Sequence, residues 1–207
     1  MLYSKGYITP STLIGIWKIE ESRDDLLSLL QYHEWVQNIY PIKSESRVLE
    51  ILSARILIKE LIGEEKEVYY NNTGKPFLSD ESYHISVSHT KGYVAVAVNK
   101  ENAIGLDIEH ISEKIRRVRS RVIGEDEYID EKNELIHLLL HWSAKEAMFK
   151  FIDAEGVDFL HHLFVDRFTP DNAGMFKASE KRTDKNLRFN AYYQVERDFV
   201  MVCLEAG

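Results

Sequence analysis

The chain has 207 residues, 26 Lys and Arg against 34 Asp and Glu for a net charge of −8, and 44% apolar positions. That is enough chain for one full-sized domain or two small halves sharing a core, and 11% aromatic residues with apolar content near the globular norm exclude disordered and collagen-like classes. The acidic balance argues against a general nucleic-acid binder, which needs a field of Lys and Arg to neutralise phosphates.

In chain order, the alternating, β-rich run Thr12 to Glu20 predicts a strand, and a helix is expected from about Arg23 to Val36. A strongly apolar helix from about Glu45 to Ile62 stops at Gly63. Asn71-Asn72-Thr73-Gly74-Lys75-Pro76 is a turn, and two strands follow, His84 to Ser88 and Tyr93 to Val98, with His89 to Gly92 between them. A strand at Ala103 to Glu109 opens the second half. A basic and then acidic helical stretch comes next, then a helix from about Glu134 to Phe151, then strands near Leu163 to Phe168, Leu187 to Val195 and Phe199 to Leu204. The connections are too short to link independent domains.

The single cysteine, Cys203, lies in an apolar run and can form neither an intramolecular disulfide nor a CxxC metal site, which favours a reducing compartment. The start MLYSKGYITP lacks the apolar run of a signal peptide, and no window approaches the roughly 20 apolar residues of a membrane span. The expectation is a cytoplasmic protein with no membrane contact.

Slid against itself by 90 residues, the chain matches in a pattern. Ile14-Gly15-Ile16 falls on Ile104-Gly105-Leu106, Ser53-Ala54-Arg55 on Ser143-Ala144-Lys145, and Ile62 on Ile152. The differences are chemical: Trp17, Ile19 and Ile56 fall on Asp107, Glu109 and Glu146. Asp107 and Glu109, two apart on a strand, leave the same face with α-carbons about 6.5 to 7 Å apart. At an effective dielectric of about 20 they repel by roughly 2 kcal/mol, so inside a cleft they need a cation. Glu146 and Lys150 share a face of the following helix, one turn apart. Three oxygen ligands without a Cys or His cluster suit Mg²⁺, with Mn²⁺ as an alternative. The bland reading of each element is a solvated strand end and an exposed helix face.

Gly74-Lys75-Pro76, Ser86-Val87-Ser88-His89-Thr90, Gly105-Leu106-Asp107-Ile108-Glu109 and Trp142-Ser143-Ala144-Lys145-Glu146-Ala147-Met148-Phe149-Lys150 together resemble, in order and spacing, the 4′-phosphopantetheinyl transferases of the two-half, surfactin-type group. One departure is Thr90, where many members have Ser. The resemblance implies an α+β fold of two similar α/β halves related by a pseudo-two-fold axis, with the cofactor in the crevice between them. An N-terminal half, residues 1–102, would serve the 3′-phosphate and adenine of coenzyme A. A C-terminal half, residues 103–207, would carry the metal and the carrier-docking side. The implied reaction moves the phosphopantetheine arm of coenzyme A to a serine of an acyl or peptidyl carrier protein and releases adenosine 3′,5′-bisphosphate. Asp107, Glu109 and Glu146 would hold Mg²⁺, with Glu146 also taking the serine proton and Lys150 neutralising the diphosphate. Lys75, Ser88, His89 and Lys145 are expected at coenzyme A, with Pro76 shaping the turn and Arg47 and Arg55 as further phosphate contacts.

Lys114 to Arg121 carries five positive charges in eight residues. Its bland reading is a solvated helix face. Its functional reading is a docking patch for an acidic carrier, centred on Arg116, Arg117 and Arg119. A chain already containing both halves is expected to be a monomer. Two other functions use some of the same residues: a Mg²⁺-dependent phosphoesterase or nuclease, which needs neither the Gly-Lys-Pro turn nor the Ser-His strand end, and a non-catalytic carrier-binding module.

Overall fold

In the computed structural model, which describes residues 1–207 apart from the side chain of residue 38, the chain divides into two compact units, Met1–Glu101 and Asn102–Gly207. Among the described residues no helix is long and apolar enough to cross a membrane.

The first unit holds strands β1 (Leu2–Tyr7), β2 (Thr12–Lys18), β3 (Val68–Tyr70), β4 (Pro76–Leu78), β5 (His84–Thr90) and β6 (Tyr93–Asn99), with helices α1 (Arg23–Ser28) and α2 (Glu45–Ile62). Four strands form an antiparallel sheet in the order β1-β2-β6-β5, and β3 and β4 form a separate hairpin. Helix α2 starts at Ser44, whose hydroxyl accepts the Arg47 amide, and stops at Gly63, where φ of +94° suits a residue without a Cβ. Its Leu52, Ile56 and Leu57 join Leu13, Trp17 and Val96 in the core.

The helix predicted from Arg23 to Val36 is broken. A capping box between Ser22 and Asp25 starts α1, which ends at Ser28, and His33–Ile39 forms a 3-10 turn. Glu65 causes the break by accepting the amides of Gln31 and Tyr32 at 2.7 and 3.1 Å, bonds that a continuous helix would make to its own carbonyls. Strand β1 was not predicted because it is an edge strand exposed along nearly its whole length, which leaves no apolar alternation to read.

The second unit holds β7 (Ile104–His110), α3 (Arg119–Val122), α4 (Glu134–Ile152), β8 (Leu163–Val165), β9 (Ala173–Glu180), β10 (Arg188–Val195) and β11 (Phe199–Ala206). Its five-stranded antiparallel sheet has the order β7-β11-β10-β9-β8. Ala144, Ala147 and Met148 of α4 pack with Phe189, Ala191 and Leu204 of the sheet. Leaving aside β1 and the short helical turns, each unit runs strand, long helix and two pairs of antiparallel strands, and in each the strand that matches at the 90-residue offset pairs with the last strand, β2 with β6 and β7 with β11.

The matched glycines mark a difference between the units. A Cβ on Gly15 would meet side-chain atoms of Leu57 at 2.7 Å and Leu61 at 3.0 Å, whereas one on Gly105 would stand 2.2 Å from the carbonyl oxygen of Ala147. Leu57 and Ala147 are also 90 residues apart. Replacing a leucine by an alanine lets the backbone of α4 rest directly on β7.

Candidate active site

Gly105, Asp107 and Glu109 alternate with Leu106 and Ile108 along β7, so the two acids leave the face on which α4 lies. The close approach at Gly105 brings the helix to them. Asp107 is 4% exposed, and its Oδ1 accepts from Lys150 Nζ at 2.8 Å. Lys150 also donates to the Leu106 carbonyl at 3.2 Å. At the other end of the strand, Trp142 Nε1 donates to Glu109 Oε1 at 2.7 Å. In the sequence Trp142 carries no signal apart from its helical motif; its role depends on the helix running back along the strand, which spacing alone does not show.

Electrostatics bind the group together. Burial, then the charge of Asp107, pushes the Glu146 carboxyl up to about 7, with Lys150 opposing and Glu109 adding to the rise. Burial and Asp107 also push Glu109 up, against the Trp142 hydrogen bond and Lys150. The structure thus brings Asp107, Glu109, Glu146 and Lys150 into mutual influence. Among the described residues no three His, Cys, Asp or Glu side chains are gathered closely enough to hold a metal as they stand. The donor chemistry nevertheless fits a hard divalent cation: three carboxylates, two of them in surroundings that disfavour their charge, with no nitrogen or sulfur ligand among them.

Lys145 points elsewhere, which corrects the expectation that it meets coenzyme A. Fully buried, its ammonium donates to the Val122 carbonyl at 2.6 Å, Glu127 Oε2 at 2.7 Å and the Phe159 carbonyl at 3.1 Å. Glu127 also accepts the amides of Gly124 and Val165 at 2.7 and 2.9 Å. Burial works to raise its carboxyl, but His141 and Lys145 hold it down at about 2. This internal clamp fastens the segment before α4 and was not read from sequence, because Glu127 sits in an acidic run with no distinguishing neighbour.

In the first unit, the Asn71 side chain accepts the amides of Thr73 and Lys75 at 3.1 and 2.8 Å, and Gly74 takes φ of +86°. This builds the turn that presents Lys75 and leads through Pro76 into β4. Ser88 is 5% exposed on β5, and His89 beside it is exposed. Arg47 of α2 reaches His89, Nη1 to Nε2, at 2.7 Å. Arg55 does not join them. It is 7% exposed, donates to the Val68 carbonyl at 3.2 Å and lies 5.6 Å from the Tyr70 ring centroid, so it supports the β3–β4 hairpin. The expected phosphate contact is corrected to a buried structural arginine.

The basic run is a 3-10 turn, Glu113–Arg117, followed by α3. Arg116 and Arg119 both bind Glu134 at the start of α4, Arg119 at 2.7 Å, while Arg117 is exposed.

Residues 103–203 match the 4′-phosphopantetheinyl transferase superfamily, a stretch that spans β7, α4 and the sheet behind them. This second unit belongs to that superfamily. A relative, the 4′-phosphopantetheinyl transferase gsp of Aneurinibacillus migulanus, is 29% identical over 110 residues, covering 50% of this chain and 46% of that protein. The match thus spans about half the length of the curated relative. The superfamily's mixed α/β character agrees with the architecture described above, and all four clustered residues lie inside the matched stretch.

Proposed function

We propose that the protein transfers the 4′-phosphopantetheine arm of coenzyme A to a serine of an acyl or peptidyl carrier protein, releasing adenosine 3′,5′-bisphosphate. The observation that carries this reading is the cluster of Asp107, Glu109 and Glu146 with Lys150, inside the unit that belongs to the transferase superfamily. Asp107, Glu109 and Glu146 are the residues that would hold Mg²⁺ or Mn²⁺, which when bound supplies Lewis-acid stabilisation of phosphoryl oxygens.

In this reading Glu146, whose carboxyl titrates at about 7, accepts the proton of the carrier serine near neutral pH. The serine oxygen forms a bond to the β-phosphorus of coenzyme A, and the bond to the adenosine bisphosphate oxygen breaks. Lys150 offsets charge on the diphosphate. Lys75, Ser88, His89 and Arg47 recognise the nucleotide end, with Pro76 fixing the turn. Arg116, Arg117 and Arg119 receive the acidic face of the carrier, Arg116 and Arg119 held in place by Glu134. The protein works as a cytoplasmic monomer, a reading supported by its single buried thiol and by the presence of both units in one chain.

Incubation with coenzyme A, Mg²⁺ and an apo carrier, followed by mass spectrometry of the carrier, tests the proposal. A carrier heavier by one phosphopantetheine is expected. An unmodified carrier with hydrolysed nucleotide would instead identify a phosphoesterase, and an unmodified carrier in a stable complex would identify a binding module.

A further inference from the structure

His89 on β5 stands against two side chains of α2. Arg47 Nη1 lies 2.7 Å from His89 Nε2 and 3.2 Å from Glu50 Oε2, and the same Glu50 oxygen lies 3.4 Å from His89 Nδ1. A guanidinium can only donate, so Nε2 accepts and the ring proton sits on Nδ1, facing Glu50. Arg47 thus sets the tautomer, and one carboxylate oxygen of Glu50 stands beside both the Nδ1 edge of His89 and one arm of Arg47. Glu50 is also the most buried of the three, with 20% side-chain exposure against 47% for Arg47 and 42% for His89. The carboxylate forms the floor, and the two nitrogen-bearing side chains are presented above it.

We propose that Glu50 is a positioning residue that aims Arg47 and His89 together at a phosphate monoester, and that preference for a nucleotide bearing that phosphate depends on it. The inference rests on the reading that this side of the first unit recognises the 3′-phosphate of coenzyme A. A phosphate dianion accepts from the guanidinium of Arg47 and from a proton taken from solvent onto His89 Nε2, while Nδ1–H remains on Glu50. Glu50 then balances the imidazolium and keeps its Nε2–H directed at the phosphate.

Calorimetric binding of coenzyme A and of 3′-dephospho-coenzyme A to the full chain tests this. The wild type should prefer coenzyme A, and Glu50→Gln, which keeps the shape but removes the charge, should reduce that preference about tenfold, equivalent to about 1.4 kcal/mol. KM for coenzyme A should rise with kcat unchanged. In a His89→Ala background the Glu50→Gln change should have a smaller effect, because only its contact with Arg47 remains. An unchanged preference in Glu50→Gln, or an equal loss with and without His89, would overturn the positioning role while leaving the phosphate reading intact. A wild type with no preference for the phosphorylated nucleotide would overturn both.

Discussion

The backbone of Ala147 lies where a side chain on Gly105 would have to go. Because the obstructing atom is a carbonyl oxygen in the middle of α4, a methyl group at residue 105 can be admitted only by moving the helix. Gly105→Ala should cost about 2 to 3 kcal/mol, the upper part of the overpacking range, and should displace Glu146 and Lys150 from the strand acids. Gly15→Ala should cost less, since the ends of the Leu57 and Leu61 side chains can yield. Urea midpoints of the two variants decide the matter; equal losses would contradict the close-approach argument.

Glu146 carries a conflict between stability and chemistry. Its carboxyl keeps a proton in the folded protein up to about pH 7, whereas in the unfolded chain it loses that proton near 4.5. Between these values the unfolded state binds fewer protons, so stability falls as pH rises, and above pH 7 the whole penalty is present. Glu146→Gln should therefore stabilise the protein at pH 8 by on the order of 2 kcal/mol, discounted for its partial exposure. The gain should vanish below pH 4.5, and transfer should fall at least a hundredfold. Mg²⁺ should raise the melting temperature of the wild type and leave that of the variant unchanged.

Trp142 holds Glu109 through one hydrogen bond. Trp142→Phe preserves an aromatic ring but removes the donor, so it should weaken Mn²⁺ binding about tenfold, the lower end of the range for residues that orient metal ligands. Titration calorimetry measures this directly, and the unfolding midpoint should move little. Unchanged Mn²⁺ affinity would mean that Glu109 needs no such support.

Replacing Arg116, Arg117 and Arg119 together by Ala should raise KM for the carrier far more than KM for coenzyme A, and should flatten the salt dependence of the carrier reaction. Part of any stability loss will come from Glu134, which loses both of its arginine partners. Single Arg117→Ala, which leaves those pairs intact, separates docking from structure: it should raise the carrier KM without altering the unfolding midpoint.

Two buried groups of the second unit oppose acidification in successive pH windows. His137 is fully buried and accepts the Asp130 amide through Nδ1 at 2.8 Å. Burial, with the neighbouring His141, pushes its titration down to about 4 from 6.5. The unfolded chain therefore binds a proton that the folded chain refuses between pH 6.5 and 4, and stability falls as pH falls through that window by up to about 3 kcal/mol. Glu127, held at about 2, adds a second loss between pH 4.5 and 2. His137→Gln retains an acceptor without the titration, so between pH 6.5 and 4.5 a urea series should show it losing less stability than the wild type as the pH falls.

Much of this arrangement is legible in sequence. Helix α2 announces itself through a long apolar run closed at Gly63 and α4 through the run from about Glu134 to Phe151, and the 90-residue offset pairs Gly15 with Gly105. Strand and helix periodicity put Asp107 with Glu109 and Glu146 with Lys150 on shared faces, and the 90-residue offset and the family resemblance join the two pairs. Pairings between distant residues leave no such trace. Glu65 breaks the predicted helix after Ser28 from more than thirty positions away, and Glu127 claims Lys145. The cationic types of Arg55 and Lys145 suggest ligands in a linear reading, but only their burial shows that they serve the protein interior.

Leu57 carries a lesson for redesign. Writing Asp, Glu and Glu into positions 17, 19 and 56 would copy the letters of the second unit into the first, yet the isobutyl group wedged over Gly15 would still act as a spacer between helix and sheet. A second catalytic centre would require trimming that spacer first, so the first unit is shielded from acquiring the chemistry by the bulk of one aliphatic side chain.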